Sequence, residues 1–198
     1  MMKFIINNHL QPFAIVAIML ALVVINLFFV RRNQLQIKPY YRKLEALTPH
    51  FSGSLSKSWI FFIDDSPKLI GQFAGHKFAL TYSRPEGQPP NYLELKCYIR
   101  STSGLRIFGH AINSKVLFDK KVNTGDSDLD RYNFYSNKPN EAKRYLTSRK
   151  VIFRQLIDSG WKIPVIGRWS IITGTDVNRT LDAETIKAAL VNLISLRN

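Results

Sequence analysis

Cysteine is nearly absent from this chain of 198 residues, in which Cys97 is the only one. A single cysteine cannot form an intramolecular disulfide, which is typical of proteins in a reducing compartment. Cys97 also lies on the apolar side of a strand-like alternation. We therefore expect it to be a small buried side chain rather than a nucleophile.

Local catalytic and metal-binding motifs are also lacking. None of the four histidines stands two or four residues from another, and none neighbours the cysteine, so there is no local zinc signature. No glycine-rich phosphate loop occurs, and a nucleophile elbow starting at Gly53 would need Ser and Gly where Leu55 and Lys57 stand. We therefore expect no cofactor and no metal, and the sequence favours a non-enzymatic protein.

Acidic residues are scarce: 14 Asp and Glu stand against 28 Lys and Arg, and none precedes Glu45. Without Lys3, Arg31 and Arg32, the rest of the chain keeps 25 basic residues against the same 14 acids. This excess favours an anionic neighbour, and the lipid bilayer or another membrane or cytoplasmic protein is the simplest partner. We do not expect nucleic acid, because no nucleic-acid-binding motif accompanies the charge.

One long uncharged run, Pro12–Val30, dominates what the sequence does contain. Thirteen of its nineteen residues are Leu, Ile, Val or Phe, and Asn26 is its only strongly polar side chain. A helix of this length spans about 28 Å at roughly 1.5 Å per residue, close to the hydrocarbon thickness of a bilayer. The run therefore predicts a transmembrane helix, in which Asn26 could pair two copies of the chain.

A cleaved signal peptide is the main alternative for this run. Such peptides have a shorter apolar core and end in a small-x-small cleavage site, whereas here bulky residues are followed by Arg31-Arg32. We therefore expect a retained single-pass anchor. Because the flanking Lys and Arg lie mostly after the run, the positive-inside rule predicts that the domain lies in the cytoplasm. The opposite topology, with the domain outside the cytoplasm, is the alternative.

The residues after the run form a basic juxtamembrane segment, in which a short helix is predicted to begin at Pro39. Its basic and aromatic side chains are expected at the membrane interface, where both types are common. These interface candidates are Arg31, Arg32, Lys38, Tyr40, Tyr41, Arg42 and Lys43. The predicted organisation is thus a tail (1–11), a transmembrane helix (12–30), a juxtamembrane segment (31–49) and a soluble domain (50–198).

The soluble part carries strand patterns first and helix patterns later, which predicts an α+β domain with an antiparallel sheet and two or three helices. In the clearest strand, Leu93, Leu95, Cys97 and Ile99 alternate with polar residues. Helices are predicted from Asn137 to Ser159, with a break near Thr147, and over 181–196. Strands are predicted at 59–63, 68–73, 77–83, 93–100, 105–108, 115–118, 132–135, 162–166 and 169–173.

Three acids lie close together in Asp126-Ser127-Asp128-Leu129-Asp130. An EF-hand calcium loop would need Gly and Glu at the places of Arg131 and Asn137, so we interpret the segment as a turn whose carboxylates cap or pair with a nearby arginine. A second hypothesis is a membrane-tethered enzyme, in which the fold brings these acids to a histidine. A set of basic residues on one predicted helix face could contact an anion or simply be solvated: Lys143, Lys150 and Arg154.

The stretch from Asp128 to Tyr132, and on from Ser136 to Thr147, resembles a segment of uncharacterised bacterial membrane-anchored domains. Those domains have an acidic-Phe-acidic start of a strand and, after a Ser-rich turn, a helix opening with Ala-Arg-x-x-Leu. Here Leu129 replaces the Phe and Lys143 the Arg. The resemblance covers about twenty residues and implies a bacterial inner-membrane protein with a soluble α+β domain, but no activity. The leading hypothesis is a non-enzymatic interaction or scaffold module anchored by one helix.

Overall fold

The structure is a computed structural model that describes residues 2–56, 66–83, 90–100, 104–109, 120–178 and 182–197, of which residues 2–12 and 33 are described by their backbone alone. The strands predicted at 59–63 and 115–118 lie outside these residues, as does His110. Within them the predicted α+β class is confirmed, because one long apolar helix is followed by an antiparallel nine-stranded sheet and further helices.

The first helix, α1 (Met2–Leu47), continues for 46 residues without a break. Between Phe13 and Phe29 its large apolar side chains are 50% to 74% exposed. Among the described residues, α1 is the one helix long and apolar enough to cross a membrane.

The end of α1 packs on the sheet domain. Ile37 and Leu47 are 8% exposed and Leu44 is fully buried, and this spacing places all three on one face of the helix. Exposed Arg31, Lys38 and Arg42 share the opposite face by the same helical spacing. The last turns of α1 are therefore part of the domain core.

A separate short helix beginning at Pro39 is not observed, because α1 continues through this residue. Proline inside a helix removes one backbone hydrogen bond and costs about 3 kcal/mol. Burial of a large apolar side chain contributes about 1.5–3 kcal/mol, and buried residues lie on both sides of Pro39, at Ile37 and Leu44. Packing against the domain thus offsets the proline, which local propensity alone could not reveal.

The sheet alternates buried and open positions along each long strand. Its strands are β1 (Ser54–Ser56), β2 (Lys68–Phe73), β3 (His76–Ser83), β4 (Tyr92–Cys97), β5 (Ile107–Phe108), β6 (Lys120–Lys121), β7 (Tyr135–Ser136), β8 (Val165–Ile166) and β9 (Ile171–Asp176). Their spatial order is β1-β2-β3-β4-β9-β8-β5-β7-β6, and all pairs are antiparallel. The first four form an antiparallel meander, in which β1 was not predicted, and the β8–β9 hairpin is inserted between β4 and β5.

The turn between β2 and β3 shows why the chain reverses there. Ala74 and Gly75, between β2 and β3, have φ of 47° and 76°, as a two-residue hairpin of type I′ requires.

Leu93, Leu95 and Cys97 of β4 are at most 2% exposed, which confirms the predicted alternation. The face that carries them is the covered face of the sheet.

The remaining helices are α2 (Ser127–Asp130), α3 (Pro139–Ser148), α4 (Lys150–Asp158) and α5 (Ala183–Ser195). The predicted break near Thr147 is found at Arg149, and Gly160, with φ of 77°, follows the end of α4. Helix α5 packs on β4 and on α4, and its buried residues join those of α1 in one core.

Of the residues predicted as a strand at 132–135, only Tyr135 lies in one. The turn that follows the one-turn helix α2 extends to Asn133, whose backbone N–H donates to the Asp130 carbonyl at 3.2 Å. The Asp126 carboxylate accepts a hydrogen bond from the backbone N–H of Asp128 at 3.0 Å and caps this turn. The turn brings Leu129 into the core, where it is 1% exposed. The local hydrogen bond therefore competes successfully with strand formation.

Replacing Leu44 tests the packing of α1 on the domain. We expect Leu44→Ala to lower the free energy of unfolding by about 2–5 kcal/mol, because it removes a fully buried side chain and leaves a cavity. Leu35→Ala, on the same helix at a residue 64% exposed, is the matched control and should change stability little. Urea unfolding of the detergent-solubilised protein measures both, and equal effects would contradict this packing.

Candidate functional site

The three clustered acids are engaged locally, by backbone and by basic side chains. Besides capping α2, the Asp126 carboxylate contacts the ammonium of Lys150. Asp128 lies 3.3 Å from the same ammonium and also contacts the Arg154 guanidinium. The prediction that these carboxylates cap or pair with a nearby arginine is confirmed.

Asp130 organises the turn before α2. Its carboxylate accepts hydrogen bonds from the backbone N–H and the hydroxyl of Thr124, both at 2.7 Å, and from the backbone N–H of Gly125 at 3.0 Å. These bonds, the Thr124 hydroxyl first, hold the pKa of the Asp130 carboxyl below its usual value. The hydrogen bond from Lys150 similarly lowers the pKa of Asp126.

These contacts bear on the two functions suggested for this region: catalysis by the clustered acids and anion binding by the basic helix face. The charges of Lys150 and Arg154 are matched by carboxylates, and Lys143 lies beside them near Gly125. Within the described ranges, no group of three or more His, Cys, Asp or Glu side chains could hold a metal. The cluster therefore has the arrangement of a structural ion-pair network.

A cavity of about 480 Å³ lies on the open face of the sheet, where β4 and β9 meet the chain before β8. Glu94, Lys162 and Tyr92 supply its polar groups, and Ile163, Val165 and Ile172 its apolar wall. Its volume falls in the range of small-molecule sites. The predicted acids 126, 128 and 130 do not line it, nor does a described histidine.

Tyr92 is the most constrained group in this cavity. Its ring passes over Gly174, where any added Cβ would overlap the phenol, and the Lys162 ammonium lies 4.4 Å from the ring centroid. Burial, and then the Glu94 carboxylate, raise the pKa of the phenol. In the described part of the chain no hydrogen bond joins Glu94 to Lys162 or Tyr92. The cavity thus offers groups for binding rather than an assembled acid–base pair.

Cys97 lies on the covered face of β4 and is 1% exposed. Burial raises the pKa of its thiol to about 11. The expectation of a small buried side chain is confirmed, and the thiol is poorly suited to nucleophilic chemistry at neutral pH.

The predicted interface residues lie on different sides of α1. Tyr40 faces the domain: its ring centroid is 4.9 Å from that of Tyr82, and its hydroxyl donates to the carbonyl of Pro90 at 3.5 Å. Lys43 places its ammonium 5.5 Å from the Tyr40 ring centroid, and Tyr41 is half-buried. The other candidates are exposed, namely Arg31, Arg32, Lys38 and Arg42.

Sequence reasoning missed the contact between Tyr40 and the sheet. The signal was present, because Ile37, Tyr40, Leu44 and Leu47 recur at helical spacing. The buried ring of Tyr82, whose pKa is raised to about 12 chiefly by burial, completes the contact. Exposed Asn26 has no such partner in the described residues, and its pairing with a second copy stays a prediction.

No model of a known protein family, no curated protein and no solved structure matches this chain. The residues that carry the resemblance to bacterial membrane-anchored domains are mainly structural: Leu129, Ala142 and Leu146 are at most 1% exposed. Their burial explains why such positions are apolar in a turn and helix. It indicates no activity for the segment.

Replacing Asp130 tests the turn before α2. We expect Asp130→Ala to lower the free energy of unfolding by about 1 kcal/mol at neutral pH, because a buried backbone donor at Thr124 loses its acceptor. Since the folded-state pKa of Asp130 is depressed, its contribution is present above the unfolded-state value of about 4. That contribution is lost as the pH falls through the folded value.

Denaturant unfolding at several pH values measures this effect. The difference between wild type and Asp130→Ala should shrink as the pH is lowered below about 4. Asp158→Ala removes an equal charge at an exposed position and serves as the control. An effect of Asp130→Ala that is the same at all pH values would contradict the assignment.

Proposed function

We propose that the protein is a single-pass membrane-anchored interaction module, whose α+β domain is held in a fixed orientation at the cytoplasmic face of a bacterial inner membrane. One observation carries this proposal: α1 is a single helix whose first half exposes an apolar surface and whose last turns are core residues of the domain. An anchor and a domain joined in this way leave no flexible linker between them.

The exposed apolar half of α1 supports the anchoring. A row of side chains such as Leu20, Val24 and Phe28, all more than 60% exposed, would be unfavourable in water but is suited to hydrocarbon. A core helix of a soluble protein would bury such a row. In the most apolar part of α1, by contrast, no residue is buried.

The basic residues support the cytoplasmic orientation. Arg31 and Arg32 directly follow the apolar run, where they can reach lipid phosphates and oppose translocation. Lys38 and Arg42 stand about 12 and 18 Å beyond Val30 at 1.5 Å per residue in an upright helix. At a Debye length of about 8 Å they interact weakly with the lipid charge. Only the two arginines are therefore assigned to the membrane surface.

Binding rather than catalysis is supported by how the polar groups are used. The acids of the 126–130 segment bind their own backbone and Lys150 or Arg154. The cavity beside Tyr92 lacks a hydrogen-bonded acid–base pair among the described residues. The proposed partners are the lipid bilayer and another membrane or cytoplasmic protein.

Charges placed inside the apolar run test the anchoring. We expect the wild-type chain to stay in the membrane pellet after alkaline carbonate extraction. Leu20→Lys with Val24→Lys should release it, because each lysine near the centre of a span costs about 2.5–3.5 kcal/mol. Leu20→Ala with Val24→Ala is the matched control and should remain in the pellet. Recovery of the wild-type chain in the aqueous fraction would refute the anchor.

Fusions to the C-terminus test the orientation. In a bacterial host we expect a fluorescent protein fused there to be fluorescent and alkaline phosphatase fused there to be inactive, because the latter needs an oxidising compartment. Arg31→Ala with Arg32→Ala should weaken this bias. Arg144→Ala with Arg197→Ala removes equal charge more than 90 residues from the helix in sequence and should not weaken the bias. An active phosphatase fusion of the wild-type chain would establish the opposite topology.

A further inference from the structure

Two arginines and an exposed tryptophan form a cluster at the tip of the β8–β9 hairpin. Trp169 is 56% exposed, and the guanidinium carbons of Arg100 and Arg168 lie 4.9 and 5.1 Å from its ring centroid. Beside them Tyr98 is 40% exposed, with the Lys96 ammonium 5.2 Å from its ring centroid. We name Arg100, Arg168 and Trp169 the Arg–Trp cluster.

Among the described residues, no acid balances the charges of this cluster. Neither guanidinium has a carboxylate partner in the described part of the chain, in contrast to Arg154, which contacts Asp128. Stacking on tryptophan orients a guanidinium but leaves its N–H groups free to donate. The cluster thus combines an exposed aromatic surface with two guanidinium groups that can donate hydrogen bonds.

The sheet register places the cluster at the end of the domain remote from the anchor. Tyr40 of α1 packs on Tyr82. Further along the chain, Phe51 packs on Phe78, and their ring centroids are 5.0 Å apart. The chain leaving the apolar half of α1 therefore reaches the Tyr82 end of β3 first and the Phe78 end later. Ile171, directly after the hairpin tip, is aligned with Phe78 through Cys97. Counting along α1 and β9, the tip lies about 30 Å from Val30.

We propose that the Arg–Trp cluster binds an acidic peptide segment of a partner protein. This inference rests on the proposed function and names the chemistry of its partner. Each guanidinium can receive a carboxylate through two parallel hydrogen bonds, and the tryptophan ring packs against the apolar part of the same segment. The net positive charge of the domain steers an acidic segment toward it.

The other anionic candidates fit less well. Lipid of the anchoring membrane lies several Debye lengths away. A single-stranded nucleic acid stacks its bases on open aromatic faces and follows a continuous basic groove. Here the basic residues form a compact group around one tryptophan rather than a continuous groove. Paired carboxylates on a short peptide match this geometry best.

The test measures fluorescence anisotropy of a fluorescein-labelled peptide of alternating Glu and Val, with the full chain in detergent micelles. We expect binding, and we expect Arg100→Ala with Arg168→Ala to raise Kd about tenfold or more. Arg144→Ala with Arg197→Ala, at two other exposed arginines, changes the net charge equally and should raise Kd less than about twofold. Trp169→Ala keeps all charges and should weaken binding severalfold.

Three results would overturn the proposal: no binding of the peptide, equal losses in the two double variants, or tighter binding of an oligothymidylate of equal charge that the Arg100/Arg168 variant abolishes. Thermal unfolding of each variant shows whether the domain is intact. The assay is done in detergent solution and does not depend on topology. Its failure is therefore distinguishable from failure of the anchoring, which carbonate extraction measures separately.

Discussion

The burial of one stripe of α1 against the sheet is the contact on which the architecture depends. Leu44 is fully buried, and Ile37 and Leu47 nearly so, within a helix whose large apolar side chains between Phe13 and Phe29 are exposed. This packing keeps the helix continuous through Pro39 and makes its last turns a structural part of the domain. Without these buried residues, α1 would no longer be held against the sheet, and its orientation relative to the domain would not be fixed.

Local contacts explain most of the remaining polar chemistry. Asp126 and Asp130 shape the turn and cap before α2, and Lys150 and Arg154 join that network from α4. Two of the three acids and two of the three residues of the basic helix face thus form one set of ion pairs between neighbouring elements. By contrast, the Arg–Trp cluster and the cavity beside Tyr92 keep polar groups available for a ligand.

Much of this fold was predictable wherever the relevant interaction is local. The alternation around Leu95, the turn at Gly75 and the helix end at Gly160 follow from side-chain period and backbone preference. Long-range partners were not predictable in the same way. The insertion of the β8–β9 hairpin beside β4, and the stacking of Arg100 on Trp169, join residues far apart in sequence, and no local pattern encodes those contacts.

The continuity of α1 has a mechanical consequence for any partner that the Arg–Trp cluster must reach. Helices in bilayers tilt by about 20° on average, and tilt responds to bilayer thickness. A lever roughly 30 Å long that follows such a tilt carries its tip sideways by about 10 Å. If α1 spans a bilayer as proposed, a change in the lipid surroundings that alters its tilt would also move the remote hairpin.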